Sequence, residues 1–477
     1  MDRPYRAPLR VSVLAPLVIL SVSGCASVDL RAGFSEVGAA VRERAGATVV
    51  WSQGTELDRE AEEKVQALLR GRLTVDDAVQ IALLNNRELQ ALYAELGVAQ
   101  ADLVRAGLYK NPILEAAVLF PLSRVRPDLQ LTMIFGFLDA FYVPLRKRVA
   151  AAAFEESKFR VTGAVLDFAA RVRAAFYAHQ ADEQTLELRQ TIVDALAASF
   201  DVSRRLHEAG NITDLDLARS RAEAEASKLA LRSAEAASHQ SREELNDLMG
   251  VWGAATRWTL EPRLPEVPAE GAAANEAERL ALVRSIDLAH ARQRMAVAGA
   301  QLGYDRATAL IQTAELGVEA EREEGWKVGP VLAVPIPLFD QGQARVGRAA
   351  AEFRRAQHEY YALAVRIRAT ARAIQERVRA AQDRALYYRD IVLPLQERIV
   401  NEAQLQYNAM QVGVFQLLRD RERQIEIGAA YVDTLREYWL AWTDLALLSS
   451  GRLPASAGAR LGGSTGRTKT KETTNGD

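Results

Sequence analysis

The chain has 477 residues with 60 basic and 62 acidic side chains, a formal net charge of -2 and a single cysteine. The near-balanced charge excludes the basic excess of a nucleic-acid binder. One cysteine excludes an internal disulfide framework and any multi-cysteine metal site.

Arg3, Arg6 and Arg10 form a positive N-terminal region, followed by an apolar stretch from Val11 to Val22 that is interrupted by Pro16. That stretch is too short to span a bilayer and reads as a secretory leader over residues 1–24. It ends in Val22-Ser23-Gly24-Cys25, small residues before a cysteine, which resembles a bacterial lipobox. The resemblance implies cleavage before Cys25 and its lipidation, and Ala26, which is not Asp, implies onward sorting to the outer membrane. The alternative is an ordinary leader with an incidental cysteine. No later stretch is apolar enough for a transmembrane helix, so any crossing must be made by β-strands. Residues 25–72 read as an N-terminal periplasmic segment.

Two halves follow, related by a duplication with a period of about 200 residues rather than a short solenoid repeat. Ala82, Leu83, Glu88 and Leu89 fall on Ala281, Leu282, Asp287 and Leu288, and Gly250 falls on Gly451. The first half spans residues 73–250 and the second 276–451. Each opens with a helix. Thr74 and Asp77 predict a capping box at the start of the first, which Asn111-Pro112 ends. Next comes a strand hairpin: residues 113–120 and 128–135, with Pro121 and Pro127 in the turn, and in the second half residues 310–319 and 328–335 around Glu323-Glu324-Gly325. Each strand has roughly the 8 to 10 residues that a tilted membrane strand needs. A long helix follows. Residues 145–207 contain no proline and would span roughly 90 Å unbroken. Val165, Phe168, Val172 and Ala175 form a coiled-coil seam along it. Ala209-Gly210-Asn211 turns the chain into a returning helix. The second half repeats this from Ala344 to Met410, with a turn at Val412-Gly413-Val414. Residues 251–275, rich in proline and small residues, read as an extended linker, and 452–477 as a disordered tail.

Two hairpins supply four strands, and four strands cannot close a membrane barrel. The smallest membrane barrels have about eight. Copies of the chain must therefore pool their strands, while the long helices project into an aqueous space.

Three segments resemble the TolC family of outer-membrane efflux proteins. Leu73-Thr-Val-Asp-Asp-Ala-Val-Gln-Ile-Ala-Leu-Leu-Asn-Asn-Arg-Glu-Leu89 is similar to the family's first-helix signature. Val328-Gly-Pro-Val-Leu-Ala-Val-Pro-Ile-Pro-Leu-Phe-Asp-Gln-Gly342 is similar to its last strand and exit into the long helix, and Tyr407-Asn-Ala-Met-Gln-Val-Gly413 to its approach to the helix tip. The resemblance covers about residues 70 to 451. It implies a mainly α chain with a small β part: long antiparallel coiled-coil helices forming an α-barrel, and four strands per protomer in a trimeric twelve-strand membrane β-barrel. It further implies a passive outer-membrane duct of a tripartite efflux system exporting drugs or metal ions, with a periplasmic adaptor and an inner-membrane pump as partners. The alternative is a periplasmic coiled-coil lipoprotein acting as a tether or as the adaptor itself.

Within that frame the strand-to-helix exit is Pro335, Pro337 and Gly342. Proline ends strand pairing by removing an N–H, and glycine permits the swivel into a helix. Gly210 and Gly413 lie at corresponding turns. The resemblance makes Ala209, Gly210, Asn211, Val412, Gly413 and Val414 the adaptor contacts, against the alternative of partnerless turns. Asp214, Asp216, Gln416, Arg419 and Asp420 are candidates for a gate, and helix capping by Thr213 or Asp214 is the competing role for the acids. The five histidines are scattered without the i, i+4 spacing of a helical metal pair. No phosphate-binding glycine loop and no nucleophile elbow is present, so the sequence calls for no metal, no cofactor and no enzyme.

Overall fold

The computed structural model describes residues 27–120, 127–261, 263–269, 277–322 and 325–455. Cys25, Pro121, Glu323 and Glu324 lie outside the described residues. The chain divides into two compact units.

The first unit holds Ala94–Phe154 and Ala300–Gly347. Its centre is a four-stranded antiparallel sheet of β2 (Ile113–Leu119), β3 (Asp128–Gly136), β5 (Glu315–Arg322) and β6 (Trp326–Ala333), in the order β2-β3-β5-β6. The first hairpin stands where its alternation places it. The second begins later than the expected Leu310: the chain first passes Leu310 to Ala314 irregularly, and Ala314 is buried before the ladder starts at Glu315. The order makes β2 and β6 the two free edges.

The second unit holds Gly33–Tyr93, Glu155–Gly299 and the chain from Arg348 on. Two short helices, α1 (Phe34–Ala45) and α2 (Glu56–Leu69), precede β1 (Arg72–Leu73). Helix α3 (Val75–Asn85) starts with the expected capping box, Thr74 and Asp77 bonding each other's backbone N–H. The opening helix is not continuous. Asn86 leaves the helical region and its Oδ1 accepts the N–H groups of Glu88 and Leu89, so it starts α4 (Arg87–Gly107) afresh. Ser285 does the same between α7 (Ala277–Val283) and α8 (Ile286–Ala307), its hydroxyl accepting from the Leu288 N–H. The duplication thus extends to the break.

The long helices are α5 (Asp139–Glu208, 70 residues) and α6 (Asp214–Met249) in the first half. The second half has α9 (Gln343–Tyr387), α10 (Leu393–Asn408) and α11 (Val414–Ser449). Val165, Phe168, Val172 and Ala175 are all buried, as the seam requires. The run expected to continue unbroken to Met410 contains a π-helical turn at Tyr388–Val392, ahead of Pro394. Proline has no N–H for the carbonyl four residues back, and a widened turn absorbs that mismatch. Charged pairs bind the long helices: Arg436 to Asp182 at 2.9 Å between α11 and α5, and Arg384 to Glu437 at 2.6 Å between α9 and α11.

The segment that composition reads as a linker is packed against these helices. Strand β4 (Thr259–Leu260) pairs in parallel with β1. Trp258, Leu264 and Val267 are buried. Gln180 donates to the carbonyls of Glu261 and Arg263, and Trp439 to that of Pro265. Prolines are compatible with these bonds, because each uses a backbone carbonyl, which proline retains. The residues just past Gly451 are also held: Arg452 binds Asp167 and Asp287, and the Leu453 N–H donates to Asp287 at 2.7 Å.

Candidate functional site

Three features carry the functional reading: the sheet, its exit into α9, and the two helix-hairpin tips. In the sheet, directly paired residues share a face. Leu114, Met133, Val318 and Pro330 form one row, and Ala116, Leu131, Ala320 and Val328 the next. Val118, Leu129, Arg322 and Trp326 continue that face, with the Arg322 guanidinium 5.9 Å from the Trp326 ring centre. This face is apolar across all four strands apart from Arg322, yet it is uncovered: Leu114 is 64% exposed and Val328 69%. The opposite face carries Glu115, Thr132 and Glu319 in one row and Gln130, Glu321 and Lys327 in the next, with Asp128 and Glu315 near the ends. Ile113, Ile134, Gly317 and Val331 make an apolar row at one end of that second face; beyond it one face of the sheet suits hydrocarbon and the other water, the alternation of a membrane β-barrel wall.

At the exit, Val334 to Pro337 follow β6 without regular secondary structure, and the Leu338 N–H turns back to the Ile336 carbonyl at 2.9 Å. Gly342 has φ 77°, and a Cβ there would lie 2.8 Å from both the Cα and the carbonyl oxygen of Ala309. Its N–H donates to Asp340 at 2.8 Å, and Arg345 in the first turn of α9 donates to the Thr308 carbonyl at 2.9 Å. Only a glycine satisfies both the backbone angle and the close approach. The prolines and the glycine thus act together at one bend.

The tips correct the equivalence expected from glycines. The first closes with Gly210 N–H donating to His207 and Asn211 N–H to Leu206; the second closes with Met410 N–H to Tyr407 and Gln411 N–H to Gln406. Gly210 at φ 73° therefore corresponds to Met410 at φ 59°, and Gly413, at φ −77°, takes the helix-cap position of Thr213. Matching glycine to glycine hid this, because the second tip places a methionine where left-handed backbone is needed. At the far ends of the returning helices the glycines do correspond: Gly250 and Gly451, at φ 66° and 96°, donate to Asp247 and Leu448, and the residues after them to Asn246 and Leu447.

The two tips differ in how firmly they are held. At the first, Thr213 and Asp216 form a reciprocal capping box, and the Thr213 hydroxyl and backbone hold the Asp216 carboxyl below its usual range. His207 Nε2 lies 2.6 Å from Asp214 across the turn. At the second, Gly413 offers no side-chain cap, and Met410 is 94% exposed. Gln416 donates to Asp420 at 3.1 Å and accepts from Arg419 at 3.2 Å, all three on the first turns of α11. Gln396 on α10 donates to the Asp420 carbonyl. Left-handed backbone costs an L-residue about 1–2 kcal/mol. Gly210→Ala is thus expected to destabilise its hairpin by about 1 kcal/mol, and Met410→Gly to leave its own unharmed or more stable by up to about 1 kcal/mol. Amide-exchange protection of the adjoining helix ends checks this; equal responses at the two tips would refute the asymmetry.

Among the described residues no helix is long and apolar enough to cross a membrane. No protein-family model matches the chain. The cobalt-zinc-cadmium resistance protein CzcC of Cupriavidus metallidurans is 23% identical over 385 residues, which are 79% of this chain and 89% of that protein. The crystal structure of a membrane protein from Pseudomonas aeruginosa superposes with a TM-score of 0.66 at 19% identity, covering 80% of this chain and 90% of that one. The Campylobacter jejuni CmeC outer-membrane channel superposes with a TM-score of 0.64 at 14% identity, over 91% and 95% of the two chains. A duplicated helix–hairpin–helix chain, one small sheet apolar on a single face and this set of structural neighbours converge: the chain has the fold of the TolC-type outer-membrane efflux channels.

Proposed function

We propose that the chain is one protomer of a trimeric, lipid-anchored outer-membrane duct that serves an efflux assembly as its passive exit channel. The carrying observation is the four-stranded sheet with an uncovered apolar face and two free edges. In hydrocarbon each unpaired backbone group costs several kcal/mol, so such a sheet is tolerable only when copies join edge to edge and close. A coiled-coil tether or an adaptor has no use for a sheet of this polarity. Three copies would give twelve strands around a lumen, with the helical unit in the periplasm and Cys25 carrying the lipid. Ala209, Gly210 and Asn211 at one tip and Val412, Gly413 and Val414 at the other would meet the periplasmic adaptor, which links the duct to an inner-membrane pump. Asp214, Asp216, Gln416, Arg419 and Asp420 would line the mouth, where Asp216 also caps its helix.

The cargo class is drugs or metal ions; the named resistance to cobalt, zinc and cadmium belongs to the relative from Cupriavidus. The lumen side of the sheet favours cations here. Glu115, Glu315, Glu319, Glu321 and Asp128 face it with Lys327. Carboxylate rings of this kind select cations. Purified protein in a planar bilayer is expected to show discrete conductance steps and a cation-selective reversal potential in asymmetric potassium chloride. The double variant Glu115→Gln, Glu319→Gln is expected to lose part of that selectivity with conductance retained. Folded oligomers that never conduct would sink the duct reading.

A further inference from the structure

We propose that the apolar exit of β6 in one copy seats in a cavity at the foot of β2 in the next copy. This rests on the edge-to-edge assembly proposed above and adds the side-chain lock that would accompany it.

The exit is too apolar for a free surface. Ile336, Leu338 and Phe339 are 79%, 71% and 91% exposed. Contiguous exposed apolar groups of this size mark an interaction site. They are also held in place: Pro335 and Pro337 fix their own φ angles, the Leu338 N–H donates to the Ile336 carbonyl, and Gln343 donates to the Phe339 carbonyl at 3.2 Å. A preset segment loses little freedom on docking. The corresponding exit of the first half also exposes aromatic rings, Phe137 at 41% and Phe141 at 68%, but no proline braces them between strand and helix. There β3 is an interior strand, and only Phe137 and Leu138 separate Gly136 from α5. The proline-braced apolar run therefore occurs only where the strand is an edge.

The receiving cavity lies where the chain enters β2. It measures about 700 Å³, and its walls mix the apolar Leu108, Tyr109, Val149 and Ala150 with the charged Asp102, Arg105, Lys110 and Arg146. Leu108 and Tyr109 are 48% and 66% exposed, so the apolar wall is open. Volumes of a few hundred Å³ or more suit several side chains at once. An aromatic ring entering beside Arg105 would also meet a cation over its face.

Strand direction brings the two features together. The sheet alternates antiparallel from β2 through β3 and β5 to β6, so β2 and β6 run in opposite senses. Identical copies closing a ring must join head to tail, β6 of one against β2 of the next. That pairing continues the antiparallel alternation. It sets the end of β6 at Ala333 level with the start of β2 at Ile113, to within the stagger of the barrel. The chain from Val334 to Phe339 then runs beside the neighbour's Leu108 to Pro112, which is the rim of the cavity.

The test uses the full-length chain in isolated membranes, with Phe339→Cys and Tyr109→Cys introduced singly and together on the background that retains Cys25. Mild oxidation followed by a non-reducing denaturing gel is expected to give a covalent ladder up to the trimer for the pair and not for either single variant. Loss of both thiols without a rise in mass would mean contact within one copy and would overturn the proposal. So would a conducting trimer in which neither this pair nor Phe339→Cys with Ala150→Cys links. A folded protein that stays monomeric by native mass would instead overturn the assembly reading as well. As a second readout, Phe339→Ala is expected to lower the temperature at which the trimer dissociates while helical circular dichroism is retained; an unchanged dissociation temperature would count against the lock.

Discussion

Replacing Arg452 with leucine is expected to destabilise the helical unit by about 3–5 kcal/mol, the cost of leaving a buried charge without its partner. Arg452 follows α11 and grips both halves of the chain. Its Nε and Nη2 bind the two oxygens of Asp167 on α5 at 2.8 and 2.6 Å, and its Nη1 binds Asp287 on α8. Burial works against the Arg452 charge, but the Asp167 hydrogen bonds and the two carboxylates raise its pKa overall. Asp287 is only 8% exposed, and burial raises its pKa even with Arg452 beside it. A carboxyl whose folded pKa is raised contributes stability below its unfolded value of about 3.9 and loses it as the pH rises through the folded value. Without Arg452 that pKa rises further. The deficit of the variant should therefore be smallest near pH 4 and grow toward neutrality. Thermal unfolding of the detergent-solubilised protein between pH 4 and 8 measures this, and a deficit that ignored pH would remove Asp287 from the explanation.

Trp258→Ala is expected to cost a similar 3–5 kcal/mol, from lost burial and the cavity left behind. The indole is 2% exposed. Its Nε1 donates to Asn246 Oδ1 at 2.8 Å, the Arg242 guanidinium sits 4.0 Å above its ring, and the His179 ring packs edge-on at 5.5 Å. Removing it also strips a donor from Asn246, which is 3% exposed. The effect should reach past residues 251–261. Arg242 donates to the carbonyls of Thr256 and Trp258, so loss of the ring should also weaken exchange protection along the C-terminal turns of α6. A Trp258→Ala protein with unchanged unfolding midpoint and protection would show that the segment behaves as the free linker its composition resembles. Trp258→Phe, which keeps most of the apolar area and loses the donor, separates packing from the Asn246 bond.

Much of the architecture was legible because it depends on local rules. The Thr74–Asp77 cap, the seam through Val165 and Val172, the first strand hairpin and the turn at Gly210 each follow from a few neighbouring residues. Failures came where local signals are weak or mislead. Asn86 ends a helix that propensity would continue, because its side chain caps the next one. Pro394 hides inside a long helix because a π-turn tolerates it. Gly413 looked like the partner of Gly210 because glycine is the usual left-handed residue, while the chain uses Met410. Residues 251–269 looked like a linker because their carbonyls find partners only in the folded helices.

By itself the sequence determined the duplicated unit, the two strand hairpins and the long helices, since these rest on periodicity, capping and turn residues within short windows. Tertiary structure alone decided which residues share a face of the sheet, which strands are its edges, where Arg452 and Trp258 find their partners and which tip residue carries the strain. Those outcomes depend on strand register and on contacts between residues far apart in the chain, and no short window of sequence contains either.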